Sequence, residues 1–327
     1  MTLVLPALMF VIAMLACAGL IAALIPRLQR AAIIDVPNDR SLHLAPVPRG
    51  AGFAIAVVVL GLQLALVLSG QWPGQAALVT MLVAGGFAAL GWADDRASRG
   101  VLLRFGIQAG LSALFVLSVL PAELGWLPRA LLCVAVMWAV NLFNFMDGAD
   151  GFAGVQALLA SLGLAVLLAG AGQGGAALAA CAVAGAAAGF LRWNWHPARI
   201  FLGDVGSYFI GFELAALVLS CAGSARAAPA LILVAPFVVD ASLTLLARAM
   251  RGVPVWRAHR EHVYQRLVLR GWSPARLSTA LLLILIGLCW PAAALSVTHG
   301  MLPALFVYGL LAIIWLWVRR VTPLPRS

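Results

Sequence analysis

The sequence contains no lysine and only 11 acidic residues, and charged residues make up 10% of its 327 residues while apolar ones make up 64%. So apolar a chain cannot be intrinsically disordered. Its 5 cysteines all lie inside apolar stretches, which excludes a disulfide scaffold and indicates small core side chains. Long apolar runs, in place of alternating polar and apolar residues, exclude a β-barrel porin. The absences together leave an α-helical integral membrane protein.

Eleven apolar stretches are long enough to cross a membrane, because a helix needs about 20 residues to span the hydrocarbon core. They predict spans at residues 2–25, 51–69, 75–93, 102–120, 126–143, 153–170, 174–191, 207–222, 228–248, 277–296 and 301–318. No positive charge precedes the first stretch, and Arg27 and Arg30 follow it, so we expect an uncleaved span. We predict one all-α polytopic domain over residues 1–327, with a periplasmic N-terminus and a cytoplasmic C-terminus.

The arginines fall almost entirely on one predicted side of the membrane. Of the 21, all but Arg129 and Arg226 lie near predicted cytoplasmic segments, at about residues 26–50, 94–101, 144–152, 192–206, 249–276 and the C-terminus. Most acids and histidines share that side, so the polar chemistry is predicted at the cytoplasmic face. A transporter would more often place ionisable groups near the membrane centre, in related repeats, and the sequence shows no internal repeat.

Two motifs occupy the first predicted cytoplasmic segments. The first runs from Asp35 through His43 and Arg49, with prolines that keep it extended and glycines that let backbone amides approach an anion. An ordinary basic loop is the alternative interpretation. The second is the pair Asp94 and Asp95, whose carboxylates repel each other and usually need a cation or a proton-transfer task at a membrane boundary. A solvated helix end is its alternative.

The third and fourth motifs add amides and carboxylates. Asn144, Asp147 and Asp150 stand three apart with glycines between them, and such groups can bind a base, a ribose or metal-bound water. This segment is too short for a calcium loop. The fourth motif runs from Asn194 to Asp204, where an aspartate between glycines is either a hard-cation ligand or a helix N-cap.

The fifth motif is His259, Arg260 and His262 in the most arginine-rich segment. Histidines three apart share a helical face, but no clear third zinc ligand stands nearby, so phosphate contact is favoured. Asp240 and Glu213 lie inside predicted spans, where they indicate either structural pairing or a proton-coupled transporter, the alternative function from a different class.

These five motifs together resemble the polyprenyl-phosphate N-acetylhexosamine-1-phosphate transferases, glycosyltransferase family 4, in order from about Asp35 to Arg266. The resemblance implies transfer of a sugar phosphate from a UDP-N-acetylhexosamine, or a 6-deoxy relative, to undecaprenyl phosphate, with release of UMP at the cytoplasmic face of a bacterial inner membrane. The first motif is closest to the O-antigen-initiating subgroup. The peptidoglycan-precursor branch, an alternative within the family, resembles it less because that branch carries consecutive histidines.

The resemblance also implies roles for individual residues. Asp94 and Asp95 match the acceptor-phosphate and metal region, where direct proton removal and a covalent intermediate both stay open, and Asp204 matches the Mg²⁺-binding aspartate. The implied catalytic set is Asp94, Asp95, Asp204, His259 and His262, with Asp204, Asp94 and Asp95 as metal ligands. The implied substrate-binding set is His43, Arg49, Asn144, Asp147, Asp150, Asn194, Phe201 and Arg260. Mg²⁺ (or Mn²⁺), undecaprenyl phosphate, the UDP-sugar and the bilayer are the implied partners, with a homodimer as an option and no nucleic acid.

Overall fold

The computed structural model describes residues 3–37, 46–97, 100–255 and 259–323. Within these ranges the α-helices are α1 (Val4–Arg30), α2 (Ala51–Leu68), α3 (Gln75–Arg96), α4 (Val101–Val119), α5 (Trp126–Met146), α6 (Phe152–Gly170), α7 (Gly174–Asn194), α8 (Gly203–Ser220), α9 (Ala227–Ala249), α10 (Val263–Leu269), α11 (Pro274–Ile284), α12 (Trp290–His299) and α13 (Leu302–Val321). Two short antiparallel strands, β1 (Ile34–Asp35) and β2 (Val47–Pro48), lie between α1 and α2.

Eleven helices in the described ranges are long and apolar enough to cross a membrane, as the apolar stretches predict, and the all-α polytopic class is confirmed. The tenth span is composite: α11, a π-helical turn at Leu285–Cys289 and α12 run on as one segment, Pro274–His299. Such π-helical turns inside α-helices are frequent at functional sites.

The helix boundaries differ from the predicted spans where the motifs lie. The third span was expected to end at residue 93, but α3 continues to Arg96, so Asp94 and Asp95 stand in the last turn of a helix. The eighth was expected to begin at residue 207, but α8 begins at Gly203, which places Asp204 in its first turn. A carboxylate is favourable there because the helix dipole is positive at its N-terminus. Hydropathy alone underestimates helix length at such polar ends.

The core of the bundle is formed by α6, α7 and α8, the most buried spans. Helix α7 packs closely against α1 because glycine stands at two positions four residues apart. A Cβ atom at Gly185 would lie 2.2 Å from the backbone oxygen of Phe10, and one at Gly189 would lie 2.4 Å from that of Met14. This small-residue spacing is the usual way for membrane helices to approach closely.

The buried acid in α8 is satisfied inside the bundle. The Nε2 atom of Gln63 in α2 donates to both carboxylate oxygens of Glu213, at 3.0 and 3.1 Å. Both side chains are buried. Glu213 is therefore paired structurally, in line with the first of the two interpretations of the intramembrane acids.

Five motif segments meet at one end of the bundle, hereafter the motif end, which carries residues 46–52, 94–97, 144–152, 194–204 and 259–266. The first and fourth motifs join through their backbones: Phe201 N donates to Pro48 O at 2.8 Å, and Gly50 N donates to Phe201 O at 3.0 Å. A Cβ at Gly52 would lie 2.1 Å from Gly206 N. Glycine is therefore required where α2 begins against α8.

Candidate functional site

Asp95 orients the start of α8. Its Oδ1 accepts from Asp204 N at 3.0 Å and its Oδ2 from Val205 N at 3.2 Å. The first amides of a helix have no partner within the helix, and Asp95 supplies one from α3. Arg49 completes the arrangement, with Nε 3.3 Å from Asp95 Oδ1 and Nη2 donating to the Asp95 backbone oxygen at 3.1 Å. Asp95 thus fixes the direction of Asp204 and holds the first motif in place.

Two glycines make this crossing of α3 and α8 close. A Cβ at Gly91 would lie 2.2 Å from the backbone oxygen of Asp204. Gly203 has a φ of +77°, a conformation that favours glycine, and a Cβ there would lie 2.8 Å from Asp95 Oδ2. Any side chain at either position would push the carboxylates of the second and fourth motifs apart.

Asn144 connects the third motif to Asp204. Its Nδ2 donates to Asp204 Oδ1 and to Ser207 Oγ, each at 2.9 Å. Within the described residues, Oδ2 of Asp204 accepts no hydrogen bond, so this oxygen is free to meet a ligand.

Asp94 is held by Tyr208, a residue that the five motifs do not include. Tyr208 donates its hydroxyl to Asp94 Oδ2 at 3.0 Å, while Oδ1 of Asp94 is buried with no hydrogen-bond partner in the described chain. Tyr208 stands four residues after Asp204, which puts both on one helical face, and that spacing was the available signal. Arg104 acts electrostatically on Tyr208, and its own Nε is buried without a partner among the described residues.

Asp147 follows directly after α5 and accepts no hydrogen bond within the described ranges. Burial, with repulsion from the carboxylates of Asp204 and Asp95, raises the pKa of Asp147 to about 8, and Arg49 opposes the rise. The charged form of such a carboxylate would be stabilised by additional positive charge or by hydrogen-bond donors. The third motif therefore adds an unsatisfied acid to the pair already gathered around Asp95.

The acid cluster, Asp94, Asp95, Asp147 and Asp204, offers carboxylate oxygens, the type of ligand that Mg²⁺ prefers. Asp94, Asp147 and Asp204 each keep a carboxylate oxygen without a hydrogen-bond partner among the described residues. The carboxylate of Asp95 forms an ion pair with Arg49. In the described chain no three metal-ligating side chains enclose an ion by themselves. Mg²⁺ does not need such a cage, because it commonly takes one or two carboxylates with water and substrate phosphate. The predicted metal role of Asp94, Asp95 and Asp204 stays a prediction.

Asp150 and Asn194 tie the third motif to the fourth. Oδ2 of Asp150 lies 2.7 Å from Nδ1 of His196. Asn194 is buried; its Oδ1 accepts from Gly151 N at 2.8 Å and its Nδ2 donates to Ile200 O at 2.9 Å. Both side chains thus shape the segment that borders the acid cluster, and their predicted contact with substrate stays a prediction.

The fifth motif is anchored by Asp240, whose role the sequence left open. Its carboxylate accepts from Val263 N at 2.8 Å, Tyr264 N at 3.2 Å and Thr244 Oγ1 at 3.1 Å. Tyr264 in turn donates its hydroxyl to Phe145 O at 3.0 Å. Asp240 therefore holds α10 at the bundle, and Tyr264 joins α10 to the segment that carries Asn144 and Asp147.

The two motif histidines differ in access. His262 is 2% exposed and its ring stacks on Phe145, whereas His259 is only partly buried; their ring centroids lie 4.9 Å apart. Burial lowers the pKa of each histidine to about 4, so both are neutral at neutral pH. His259 and the neighbouring Arg260 are the more exposed members of this motif, and their predicted contact with phosphate stays a prediction.

Glu261, between these histidines, lies in a group of arginines. Arg248 and Arg251 donate to its carboxylate, and Arg266 donates through Nε to the Glu261 backbone oxygen at 2.9 Å. Burial would raise the pKa of Glu261, but the guanidinium groups of Arg251 and Arg248 outweigh it and hold that pKa below its usual range.

The structure thus assembles most of the predicted site. The acid cluster, Arg49 and Asn144 meet directly, and Asp150, Asn194 and Phe201 border them. His259, Arg260 and His262 connect to the cluster through Phe145. His43 lies outside the described residues, so its predicted contact with substrate stays a prediction.

The chain is similar in sequence to known proteins. The family model for glycosyl transferase family 4 matches residues 77–222. The "Probable undecaprenyl-phosphate N-acetylglucosaminyl 1-phosphate transferase" of Bacillus subtilis is 29% identical over 89% of this chain and 85% of its own length. The decaprenyl-phosphate N-acetylglucosaminephosphotransferase of Mycolicibacterium smegmatis is 29% identical over 90% and 82%.

A phospho-N-acetylmuramoyl-pentapeptide-transferase of Moorella thermoacetica is 30% identical over 61% of this chain and 69% of its own length. The matched family model covers the second, third and fourth motifs, which supply all four members of the acid cluster. The chain therefore belongs to glycosyl transferase family 4, the polyprenyl-phosphate N-acetylhexosamine-1-phosphate transferases, as its five motifs predict.

Proposed function

We propose that this protein transfers N-acetylhexosamine-1-phosphate, or a 6-deoxy relative, from a UDP-sugar to undecaprenyl phosphate and releases UMP. The observation that carries the proposal is the acid cluster, in which three carboxylates keep unpartnered oxygens beside Arg49. The names of relatives from Bacillus and Mycolicibacterium support a polyprenyl phosphate acceptor and an N-acetylglucosamine phosphate as the group transferred.

In the proposed reaction an oxygen of the acceptor phosphate attacks the β-phosphorus of the UDP-sugar. The bond from that phosphorus to the oxygen bridging the two phosphates breaks, and UMP leaves with the bridging oxygen. The reacting groups carry several negative charges, and one pair of like charges 4 Å apart costs about 4 kcal/mol at an effective dielectric constant of 20. Catalysis in such a reaction is mostly positioning and charge stabilisation.

The chain's own residues divide these tasks. Asp95 and Asn144 orient Asp204, and Tyr208 orients Asp94. His259 and Arg260 are available to the phosphates of the donor and of the leaving UMP.

Asp204, Asp147 and Asp94 are the residues that would hold Mg²⁺, or Mn²⁺ in its place. When bound there, the ion would offset the repulsion between carboxylates and phosphates and stabilise charge on the transferring phosphoryl oxygens. The raised pKa of Asp147 supports this assignment, because it reflects a local excess of negative charge.

The proposed location is a bacterial inner membrane with the acid cluster on the cytoplasmic face. The excess of arginine on the predicted inner side supports it, and a site at the interface lets the lipid tail stay in hydrocarbon while its phosphate meets a water-soluble donor. We further propose that the product starts O-antigen or a related cell-envelope polysaccharide, on the basis of the first motif and the separated histidines of the fifth.

The test is incubation of the purified protein with undecaprenyl phosphate, Mg²⁺ and a panel of donors. The panel holds UDP-N-acetylglucosamine, UDP-N-acetylgalactosamine, a 6-deoxy UDP-N-acetylhexosamine and UDP-N-acetylmuramoyl-pentapeptide, and released UMP is measured. We expect release with an N-acetylhexosamine donor that needs both the lipid and the metal. Turnover of the muramoyl donor alone would assign the chain to the peptidoglycan-precursor branch, and no UMP from any donor would refute the transferase function.

The transporter alternative has lost its main support. Asp240 and Glu213, the two acids that favoured it, are both engaged structurally, by α10 and by Gln63. Substrate uptake into vesicles that persists in an Asp204→Asn variant would favour a transporter over the transferase.

A further inference from the structure

An apolar groove lies at the motif end between α9, α11 and α13, behind the third motif. It has a volume of about 220 Å³, and its walls include Pro236, Leu281, Ile284, Leu311 and Ile314. The π-helical turn begins where α11 leaves the groove. A cavity with so few polar groups does not hold water well, so hydrocarbon is its natural occupant.

The groove is separate from the acid cluster. Tyr264 and Met146 form the wall on that side, and Tyr264 is fixed there by its hydrogen bond to Phe145 O. A Cβ at Gly148 would lie 2.2 Å from the Tyr264 hydroxyl, so the third motif packs directly on the other face of this wall.

The guanidinium groups of two arginines stack on tryptophan rings that line the groove. The guanidinium carbon of Arg276 lies 4.1 Å from the ring centre of Trp272, and that of Arg319 lies 4.6 Å from the ring centre of Trp315. Nη1 of Arg319 is buried and has no hydrogen-bond partner among the described residues. Stacking on a ring leaves the edge of a guanidinium free, and that edge is the part that binds phosphate oxygens.

Positive charge is in excess around this groove. The described charged groups near it include Arg248, Arg251, Arg266, Arg276 and Arg319 against Glu261 and Asp240. Burial, with repulsion from Arg319, lowers the pKa of Arg266 to about 10, although Glu261 opposes the change. An anion at this place would therefore be stabilised by charge as well as by hydrogen bonds.

We propose that the groove binds an anionic phospholipid of the surrounding bilayer, with an acyl chain between α9, α11 and α13 and the phosphate against Arg319 and Arg276. The apolar walls suit the lipid's acyl chain, and the unpaired guanidinium edges can donate hydrogen bonds to its phosphate. A zwitterionic lipid fits less well because its own cationic group would lie among arginines.

The bound lipid would support the fifth motif. Trp315 donates through Nε1 to Thr244 Oγ1 at 3.1 Å, and Thr244 donates to Asp240, which holds α10. An acyl chain packed against Trp315 thus fixes α13 against α9 and, through Thr244 and Asp240, steadies α10, the helix that begins directly after His262.

The test uses the full chain in detergent, with native mass spectrometry of retained lipid after equal additions of phosphatidylglycerol and phosphatidylcholine. We expect wild type to retain phosphatidylglycerol preferentially. Ala280→Trp fills the groove and should abolish that retention, whereas Ala22→Trp, on the exposed face of α1, should not. Arg319→Gln should weaken phosphatidylglycerol binding about 5-fold, the equivalent of about 1 kcal/mol per arginine, while Arg30→Gln should leave it unchanged.

Three results would overturn the proposal. They are equal retention of both phospholipids by wild type, unchanged retention in both Ala280→Trp and Arg319→Gln, and displacement of phosphatidylglycerol by equimolar undecaprenyl phosphate, which would assign the groove to that lipid. Arg319→Gln keeps the test valid if Ala280→Trp does not fold. Because retention is measured without any donor, the outcome is independent of whether UMP is released.

Discussion

Asp147 and Glu261 are two carboxylates of the motif end with opposite environments. Asp147 stands among other acids, has no hydrogen bond in the described chain, and its pKa is raised to about 8. Glu261 receives hydrogen bonds from Arg248 and Arg251, and its pKa is held below the usual range. Among the described residues, the first carboxylate has no positive partner that offsets its neighbours, whereas the second is already paired by the protein's own arginines.

This difference distinguishes groups that are suited to bind a charged ligand from groups that stabilise the fold. Groups that bind charged ligands keep unsatisfied atoms and cost stability in the ligand-free protein, and groups that hold a fold together are saturated. By that criterion we propose the acid cluster as the reacting region, and Glu261 with its arginines as the support of the fifth motif. The following variants test the contrast.

The largest expected effect is on transfer by an acid-cluster variant. Asp204→Asn removes the carboxylate that Asp95 and Asn144 orient, and we expect the rate of UMP release to fall about 10³-fold, a loss typical of removing preorganised charge. Glu123→Gln, an exposed acid at the other end of the bundle, is the matched control and should keep its rate. An Asp204→Asn variant with wild-type turnover would show that the cluster does not take part.

Glu261→Gln should instead act on stability. The substitution leaves Arg248 buried without a counter-charge. Removing one partner of a buried ion pair lowers the free energy of unfolding by about 3 kcal/mol. Thermal unfolding in detergent should therefore show a lower midpoint. Glu213→Gln, whose partner is the neutral Gln63, is the control and should lower the midpoint less; equal losses would mean that the arginines do not depend on Glu261.

Asp147→Asn should change stability in the opposite direction. Because burial and the neighbouring acids raise the pKa of Asp147 to about 8, folding of the metal-free protein at neutral pH must protonate this carboxylate or confine its charge among other acids. An uncharged Asn avoids that cost, so the metal-free protein should gain about 1 kcal/mol in its free energy of unfolding while transfer falls. The matched reversal is Asn144→Asp, which adds a charge and loses the bond to Asp204. A metal-free Asp147→Asn protein that is no more stable than wild type would contradict the proposed repulsion.

The smallest effect concerns pH. Both His259 and His262 have a pKa of about 4 in the fold, against about 6.5 when unfolded, so the unfolded chain takes up protons first. Their contribution to stability therefore falls as pH drops through about 6.5 and continues falling to about 4. The raised pKa of Asp147 has the opposite effect, because the folded protein binds that proton more tightly and gains stability as pH falls. The effect of the histidine is therefore isolated by measuring the difference in free energy of unfolding between wild type and His262→Asn. That difference should shrink from about pH 7 to about pH 5; a constant difference would contradict a depressed pKa.

Hydropathy and motif order predicted much of this molecule. The eleven spans follow from apolar runs alone, and the convergence of five motifs follows from their placement on one predicted side. The family follows from the same residues. These features depend on local composition and order along the chain, which a sequence displays directly.

The hydrogen-bond partners of the individual acids could not be predicted from the sequence. Asp94 and Asp95 are neighbours in sequence, yet one is bound by Tyr208 and the other satisfies the first amides of α8. Asp240 lies in a span that gives no sign of α10, the helix it holds. Such contacts join segments far apart in the chain, and their geometry depends on close packing at glycines such as Gly91.

The central claim, that the acid cluster is built to hold a divalent cation, is tested most directly by binding of Mn²⁺ without nucleotide or lipid. In a titration followed by electron paramagnetic resonance, we predict one bound Mn²⁺ per wild-type chain, loss of that binding in Asp204→Asn and Asp147→Asn, and its retention in Glu261→Gln. Absence of binding in wild type, or equal binding in Asp204→Asn, would contradict the account.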